Sequence, residues 1–274
     1  MRSMISRWNR RRLFKREESK KNAAAREREM LFSKDDRVEI LQLLKKFQPM
    51  DCGKELVRVG PERDGGYLLP DDFDGLAALY SPGVDETIGF DLDISRRDIP
   101  CFLADGTVEP PSCLASNMQF EQMMIGDGPV ENFMTMADWI ARTAPAEGDL
   151  MLQMDIEGAE YEVLPSTPRP ILDRFRIIAI ELHTIDDCLL DPNRRKLSDF
   201  LELLTQNHVI CHLHPNTITA PVQILGRSVP PLLELTLLRK DRLARIPDKQ
   251  AAYPHPLDKP NSNQYPLREF PPFW

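Results

Sequence analysis

The chain has 274 residues, enough for one large domain with a substantial core or for two small ones. No run of about 18 apolar residues occurs, so no transmembrane helix is expected, and the basic N-terminus lacks the apolar stretch of a secretory signal. The net charge of −8 conceals an asymmetry: residues 1–30 hold eleven Lys and Arg against four Glu, which leaves −15 on the rest, an acidic body that argues against nucleic acid as a partner.

Residues 1–30 read as a basic, solvated, mobile arm that either does no more than solubilise the chain or docks on an acidic membrane surface or partner. Residues 35–47, with Val38, Ile40, Leu41, Leu43, Leu44 and Phe47 on one face, predict the first packed helix. Leu56 to Val59, the turn signal Arg63-Asp-Gly-Gly-Tyr67 and the apolar Leu68-Leu69 predict a small hairpin. A strand–helix alternation then begins. Leu76 to Tyr80 is a strand ending in Ser81-Pro-Gly-Val84, residues 86–97 a helix, Ile99 to Ala104 a second strand ending at Asp105, and Phe120 to Ile125 a third. Met134 to Arg142 is helical with Thr135 as a cap. Leu150 to Met154 is the fourth strand, and a helix is expected from Glu157. Arg176 to Leu182 is an apolar strand, Leu197 to Leu204 an amphipathic helix, and Val209 to Leu213 and Leu232 to Leu238 the last two strands.

Repeated units of this size predict an α/β fold, a mostly parallel doubly wound sheet. The last two strands have no helical pattern between them and are expected as an antiparallel pair at one edge. The main domain is taken as residues 31–240. Residues 241–274, with seven prolines and Tyr253, Tyr265, Phe270, Phe273 and Trp274, are expected to pack over it without regular structure.

Five scattered cysteines (Cys52, Cys101, Cys113, Cys188, Cys211) form no Cys-x-x-Cys, which points to reduced thiols in a cytoplasmic setting rather than a disulfide framework or zinc site. Three constellations can carry chemistry. The loop Ser81-Pro-Gly-Val-Asp-Glu-Thr-Ile-Gly89 follows the first strand, and Gly83 would let a ligand approach the backbone, although there is no Gly-x-Gly and no Gly-Lys-Ser/Thr ending. Asp105, 22 residues after Gly83, stands where doubly wound nucleotide folds carry an acidic ribose ligand; it is equally a turn aspartate before Gly106. Asp155, Glu157, Glu181 and His183, followed by His212, His214 and Asn216, fall at the ends of the later strands. A parallel sheet would turn Asp155, Glu181 and His183 into one cleft, with His183 as a general base or as a metal ligand beside the carboxylates. The alternatives are a capped helix for the acidic residues and hydrogen-bonded structural roles for the histidines.

Met154-Asp-Ile-Glu-Gly-Ala-Glu-Tyr-Glu-Val-Leu164 followed by Ile180-Glu-Leu-His183 resembles the FkbM family of S-adenosylmethionine-dependent methyltransferases over roughly residues 55–240. Met134-Thr-Met-Ala-Asp-Trp-Ile140, Arg63-Asp-Gly-Gly-Tyr67 and Tyr80-Ser-Pro-Gly-Val-Asp85 add to the resemblance. It implies a seven-stranded, class I methyltransferase-like fold with the last strand antiparallel. It implies S-adenosylmethionine as cofactor, with Ser81 and Gly83 beside its methionine part, Asp105 on its ribose, Asp155 between cofactor and acceptor, and His183 facing the acceptor. The acceptor would be a glycan or a small hydroxylated metabolite. Some relatives use a magnesium ion, for which Asp155 and Glu181 are the natural ligands. The chain departs from the family pattern in its lone Gly83, which keeps a non-catalytic binding protein of the same fold in view; another doubly wound nucleotide- or sugar-modifying enzyme is the remaining alternative.

Overall fold

The computed structural model describes residues 18–84, 87–128, 132–191 and 194–274. In chain order, helices α1 (18–29) and α2 (Lys34–Lys45) precede the hairpin β1 (Leu56–Val59) and β2 (Tyr67–Pro70). There follow β3 (Leu76–Pro82), α3 (Gly89–Ser95), β4 (Cys101–Ala104), β5 (Met118–Glu121), β6 (Met124–Gly126), β7 (Phe133–Thr135), α4 (Met136–Thr143) and β8 (Asp149–Met154). The second half runs through α5 (Glu160–Ser166), α6 (Arg169–Leu172), β9 (Phe175–Leu182), α7 (Ile185–Leu190), α8 (Arg195–Asn207), β10 (His208–Pro215), β11 (Val222–Ile224), β12 (Arg227–Val229) and β13 (Leu233–Arg239).

Seven of these strands form one sheet in the order β10-β13-β9-β8-β3-β4-β5. β9, β8, β3, β4 and β5 are parallel, while β13 runs antiparallel to both β9 and β10. This is the doubly wound, class I methyltransferase-like arrangement. The expected antiparallel edge pair is present, with the later strand inserted between β9 and β10. Short apolar runs become strands here because the central ones are covered on both faces; all eight residues of β9 are buried.

The pleat divides the core in two. Ala78, Tyr80, Leu150, Leu152, Met154, Ile178 and Ile180 face a layer that includes residues of α2, α4, α5, α7 and α8. Leu79, Met151, Ile177 and Ala179 face the other layer, where the β1–β2 hairpin and α3 supply Val59, Tyr67, Leu69, Phe90 and Ile94. Trp139 of α4 has no exposed surface, meets the Tyr80 ring edge-on at 4.9 Å and donates its indole N–H to Glu121 at 3.0 Å. Thr135 caps α4 as expected, its hydroxyl accepting from Asp138 N–H at 3.0 Å.

Three expectations shift. The single third strand over Phe120–Ile125 is two, β5 and β6, which pair with different partners. The helix over 86–97 is confined to Gly89–Ser95 within the described residues. The helix expected from Glu157 begins at Glu160, because Glu157 and Gly158 take left-handed backbone angles (φ +56° and +102°) that no α-helix accommodates.

Both ends of the described residues pack on the body. In α1, Ala25 is buried, and Asn22 and Glu29 accept the backbone N–H groups of Gln223 and Leu225 at 2.8 Å each. The basic arm read from residues 1–30 otherwise falls on residues 1–17, outside the described residues. In the tail, Phe270 and Phe273 are buried, and the Phe273 ring stands edge-on to Phe47 at 6.0 Å. No helix among the described residues is long and apolar enough to cross a membrane.

Candidate functional site

The parallel strands all end at one edge of the sheet. The chain order reverses between β3 and β8: the chain passes from β3 to β4 on one side, while β8 lies on the other. Such a switch point opens a crevice at the strands' carboxyl ends. Gly83 and Asp155 flank it. Gly83 N–H donates to Ala104 carbonyl at 2.8 Å, and Asp155 N–H donates to Pro82 carbonyl at 3.3 Å. Gly83 has φ +80°, and a Cβ there would lie 1.6 Å from the Asp155 carbonyl oxygen. Only glycine lets the two loops come this close.

After β8 the chain turns sharply through the left-handed Glu157 and Gly158. Glu160 closes the turn by folding back, its Oε1 accepting Ile156 N–H at 3.0 Å. The turn brings three acidic side chains around His183, which follows the end of β9. His183 Nε2 lies 3.6 Å from Asp155 Oδ1 and 3.3 Å from Glu157 Oε2, and Nδ1 lies 3.3 Å from Glu160 Oε1. The Glu160 contact has ion-pair distance without hydrogen-bond alignment. Glu160 is wholly buried, the His183 side chain is only 10 % exposed, and Glu157 projects into solvent at 88 %. Asp155, Glu157 and His183 each offer a ligand atom within 4.8 Å of the others, a spacing that one metal ion can span.

Burial pushes the Asp155 carboxyl up to about 7, with Glu157, Glu160 and Glu234 adding to the shift and His183 opposing it. Burial by itself would depress His183, but Glu160, Asp155 and Glu157 outweigh it and raise its pKa. Both groups are thus shifted upward, the Asp155 carboxyl mainly by desolvation and the His183 imidazole by its carboxylate neighbours, and such perturbation marks a candidate site.

Glu181 lies apart from that trio. It is buried in β9, accepts from Asn216 Nδ2 at 2.9 Å, and sits in register with Glu234 of β13. Burial, with Asp155, Glu234 and Asp64 nearby, raises its pKa well above the carboxylate range. Glu234 in turn accepts from Asn261 Nδ2 at 2.5 Å, and the same amide donates to Asp64 at 3.1 Å. His212 and His214 belong to this network: His212 Nε2 is 2.9 Å from Asp258 Oδ1, and His214 Nε2 is 3.1 Å from Asn261 Oδ1. Their role is to hold the C-terminal tail, the structural alternative weighed for them from the sequence.

Ser81, a candidate cofactor contact in the sequence, has no exposed surface and donates its hydroxyl to Gln153 at 2.5 Å within the sheet. Asp105 stands at the end of β4, beside the crevice, and its Oδ1 accepts Thr107 N–H at 2.7 Å and Thr107 Oγ1 at 2.6 Å, the turn geometry that its Asp-Gly context allows.

Sequence reasoning left Glu160 among the acidic residues that either a strand-end site or a capped helix would explain, and it passed over Glu234. Glu234 carries a readable signal, a carboxylate inside the apolar run Leu232–Leu238. Glu160 carries none, since only the turn at Glu157 and Gly158 directs it inward. No protein-family model matches the chain, and no curated protein matches it.

Proposed function

We propose that this chain is an S-adenosylmethionine-dependent methyltransferase of the FkbM kind that transfers a methyl group to an oxygen of a glycan or small hydroxylated metabolite. The observation that carries the reading is the meeting of Gly83 and Asp155 at the switch point, with Asp105 at the end of β4 on one side and His183 beyond β9 on the other. When bound, S-adenosylmethionine supplies a methyl group already activated by its sulfonium. The residues present fit such a group: a carboxylate at the end of the second parallel strand suits a ribose diol, and the acidic crevice suits a cation.

The chain's own residues then have two tasks. The first is to hold the acceptor oxygen in line with the methyl group, a positioning effect worth about 7–11 kcal/mol. Asp155, between the two halves of the crevice, is assigned to that. The second is to deprotonate the hydroxyl. The Asp155–Glu157–His183 cluster does this either with Nε2 of His183 as the base, its Nδ1 side backed by Glu160, or by holding a cation that acidifies the hydroxyl.

A non-catalytic binding protein is the second reading, favoured by the lone Gly83 and by the engagement of Asp105 Oδ1 with Thr107. Calorimetric titration with S-adenosylmethionine tests both. Absence of binding at millimolar cofactor would sink the enzyme reading, and binding without turnover on hydroxylated acceptors would put the second reading ahead. Asp105→Ala is expected to weaken cofactor binding, and His183→Ala to spare it while lowering turnover.

A further inference from the structure

The donor set around His183 is not the one that magnesium prefers. Magnesium is a hard ion bound by oxygen, usually keeping several waters. Here an imidazole nitrogen stands between two carboxylates, a mixture that suits zinc, manganese or cobalt. The spacing agrees. Two donors each about 2.0–2.2 Å from an ion at the tetrahedral angle lie about 3.3–3.6 Å apart. The Nε2 distances to Glu157 and Asp155 are 3.3 and 3.6 Å.

Two further features point to a ligand. The His183 side chain is nine-tenths buried, its Nδ1 has no aligned hydrogen bond among the described residues, and its Nε2 is aimed at the carboxylates. Asp155 Oδ1, the atom it faces, is itself buried without a hydrogen-bond partner. Behind the ring, the wholly buried Glu160 stands against Nδ1. A carboxylate in that place fixes the tautomer of a metal-ligating histidine and raises its basicity.

We propose that Asp155, Glu157 and His183 bind a divalent first-row transition ion, with His183 Nε2 as the nitrogen ligand and Glu160 as the outer carboxylate that orients the ring. The exposed Glu157 closes the site from the solvent side. This deepens the methyltransferase reading of the same crevice and rests on it for the ion's role: His183 would then serve as a ligand, and the ion would lower the pKa of the acceptor hydroxyl so that its proton passes to solvent water instead of to the imidazole. Binding of the ion does not depend on that reading.

The test is titration of the full chain, first stripped with a chelator, with Co2+ alone and with Mg2+ alone, followed by visible absorption and calorimetry. The expected result is one Co2+ per chain with the absorption of a nitrogen- and oxygen-ligated ion, bound at least about 100-fold tighter than Mg2+ and displaced by Zn2+. His183→Ala and Glu157→Gln are each expected to weaken Co2+ binding sharply, and Glu160→Gln by about 10- to 100-fold. Circular dichroism identifies a variant that fails to fold, and the exposed Glu157→Gln then carries the test. Absence of Co2+ binding, a preference for Mg2+, or undiminished binding in folded His183→Ala and Glu157→Gln would each overturn the proposal. Calorimetry with S-adenosylmethionine on the stripped chain keeps the two readings separate. Cofactor binding without Co2+ binding defeats the metal site alone, and the reverse defeats the methyltransferase reading alone.

Discussion

His183 Nδ1 lies 3.3 Å from Glu160, a carboxylate with no exposed surface, so the residue that starts α5 also backs the histidine that follows β9. The same Glu160 oxygen accepts Ile156 N–H, tying the Asp155 loop to the imidazole. One side chain therefore sets both the bend after β8 and the surroundings of the ring.

Glu160→Ala should be destabilising by about 1–3 kcal/mol, because the Ile156 N–H loses its partner in a partly buried turn. Glu160→Gln retains an oxygen for that N–H and should stay closer to the wild-type chain. Urea denaturation of the two variants checks this; equal stability losses would mean that the carboxylate charge, not the Ile156 bond, holds the turn.

Gly83→Ala should disrupt the crevice. The added methyl would meet the Asp155 carbonyl, and alanine at φ +80° is itself strained, by roughly 1–3 kcal/mol. A lowered melting temperature together with weakened S-adenosylmethionine binding is expected. A variant of wild-type stability and affinity would show that the two loops can separate freely.

Asp91 offers a test of pH-dependent stability away from the site. It is wholly buried in α3, its Oδ1 has no hydrogen-bond partner, and burial pushes its pKa up to about 6 despite the nearby Ser81 hydroxyl. A carboxyl with a raised folded pKa stays protonated in the native state after the unfolded chain has ionised. Stability is thus lost as pH rises from about 4 toward 6, by on the order of 2–3 kcal/mol. Asp91→Asn should be more stable than the wild-type chain at pH 8 and no more stable at pH 4. Denaturation midpoints at the two values decide it, and a gain that is the same at both would rule out titration of Asp91 as the cause.

The tail should depend on pH in the opposite sense. Burial would raise the Asp258 carboxyl, but its hydrogen bond with His212 and the adjacent His214 ring hold it far below the usual range. A depressed folded pKa contributes stability that is present above about pH 4 and lost as pH falls below it. Asp258→Asn should therefore loosen residues 250–274 at pH 7, read as faster limited proteolysis there. The gap between its urea midpoint and the wild-type value should begin to narrow as pH falls from about 4 to 3. A difference that persists undiminished at that pH would assign the effect to lost packing.

Much of the fold was legible because its signals are local. Short apolar runs alternating with helical patterns predicted the parallel strands, and the missing helix between the last two predicted their antiparallel pairing. Thr135 announced a helix start through its own side chain. The placement of the later strand between β9 and β10 was not legible, since strand order depends on which faces remain to be covered. Nor was the turn after β8: Glu157 has ordinary helical propensity, and its left-handed backbone is imposed by the approach of Gly83 to Asp155 and by the buried Glu160.

The same division runs through the site. The residues themselves, Asp105, Asp155, Glu181 and His183, were singled out by their positions at strand ends, which the hydrophobic period alone determines. Their partners were decided by tertiary structure. It grouped His183 with Asp155, Glu157 and Glu160, gave Glu181 to Asn216 and Glu234, closed Ser81 inside the sheet against Gln153, and set the tail's Asp258 and Asn261 on His212 and His214. The reason is physical. Period and propensity fix where a side chain leaves its own strand, whereas a charge or hydroxyl removed from water is settled by whatever distant segment supplies its partner.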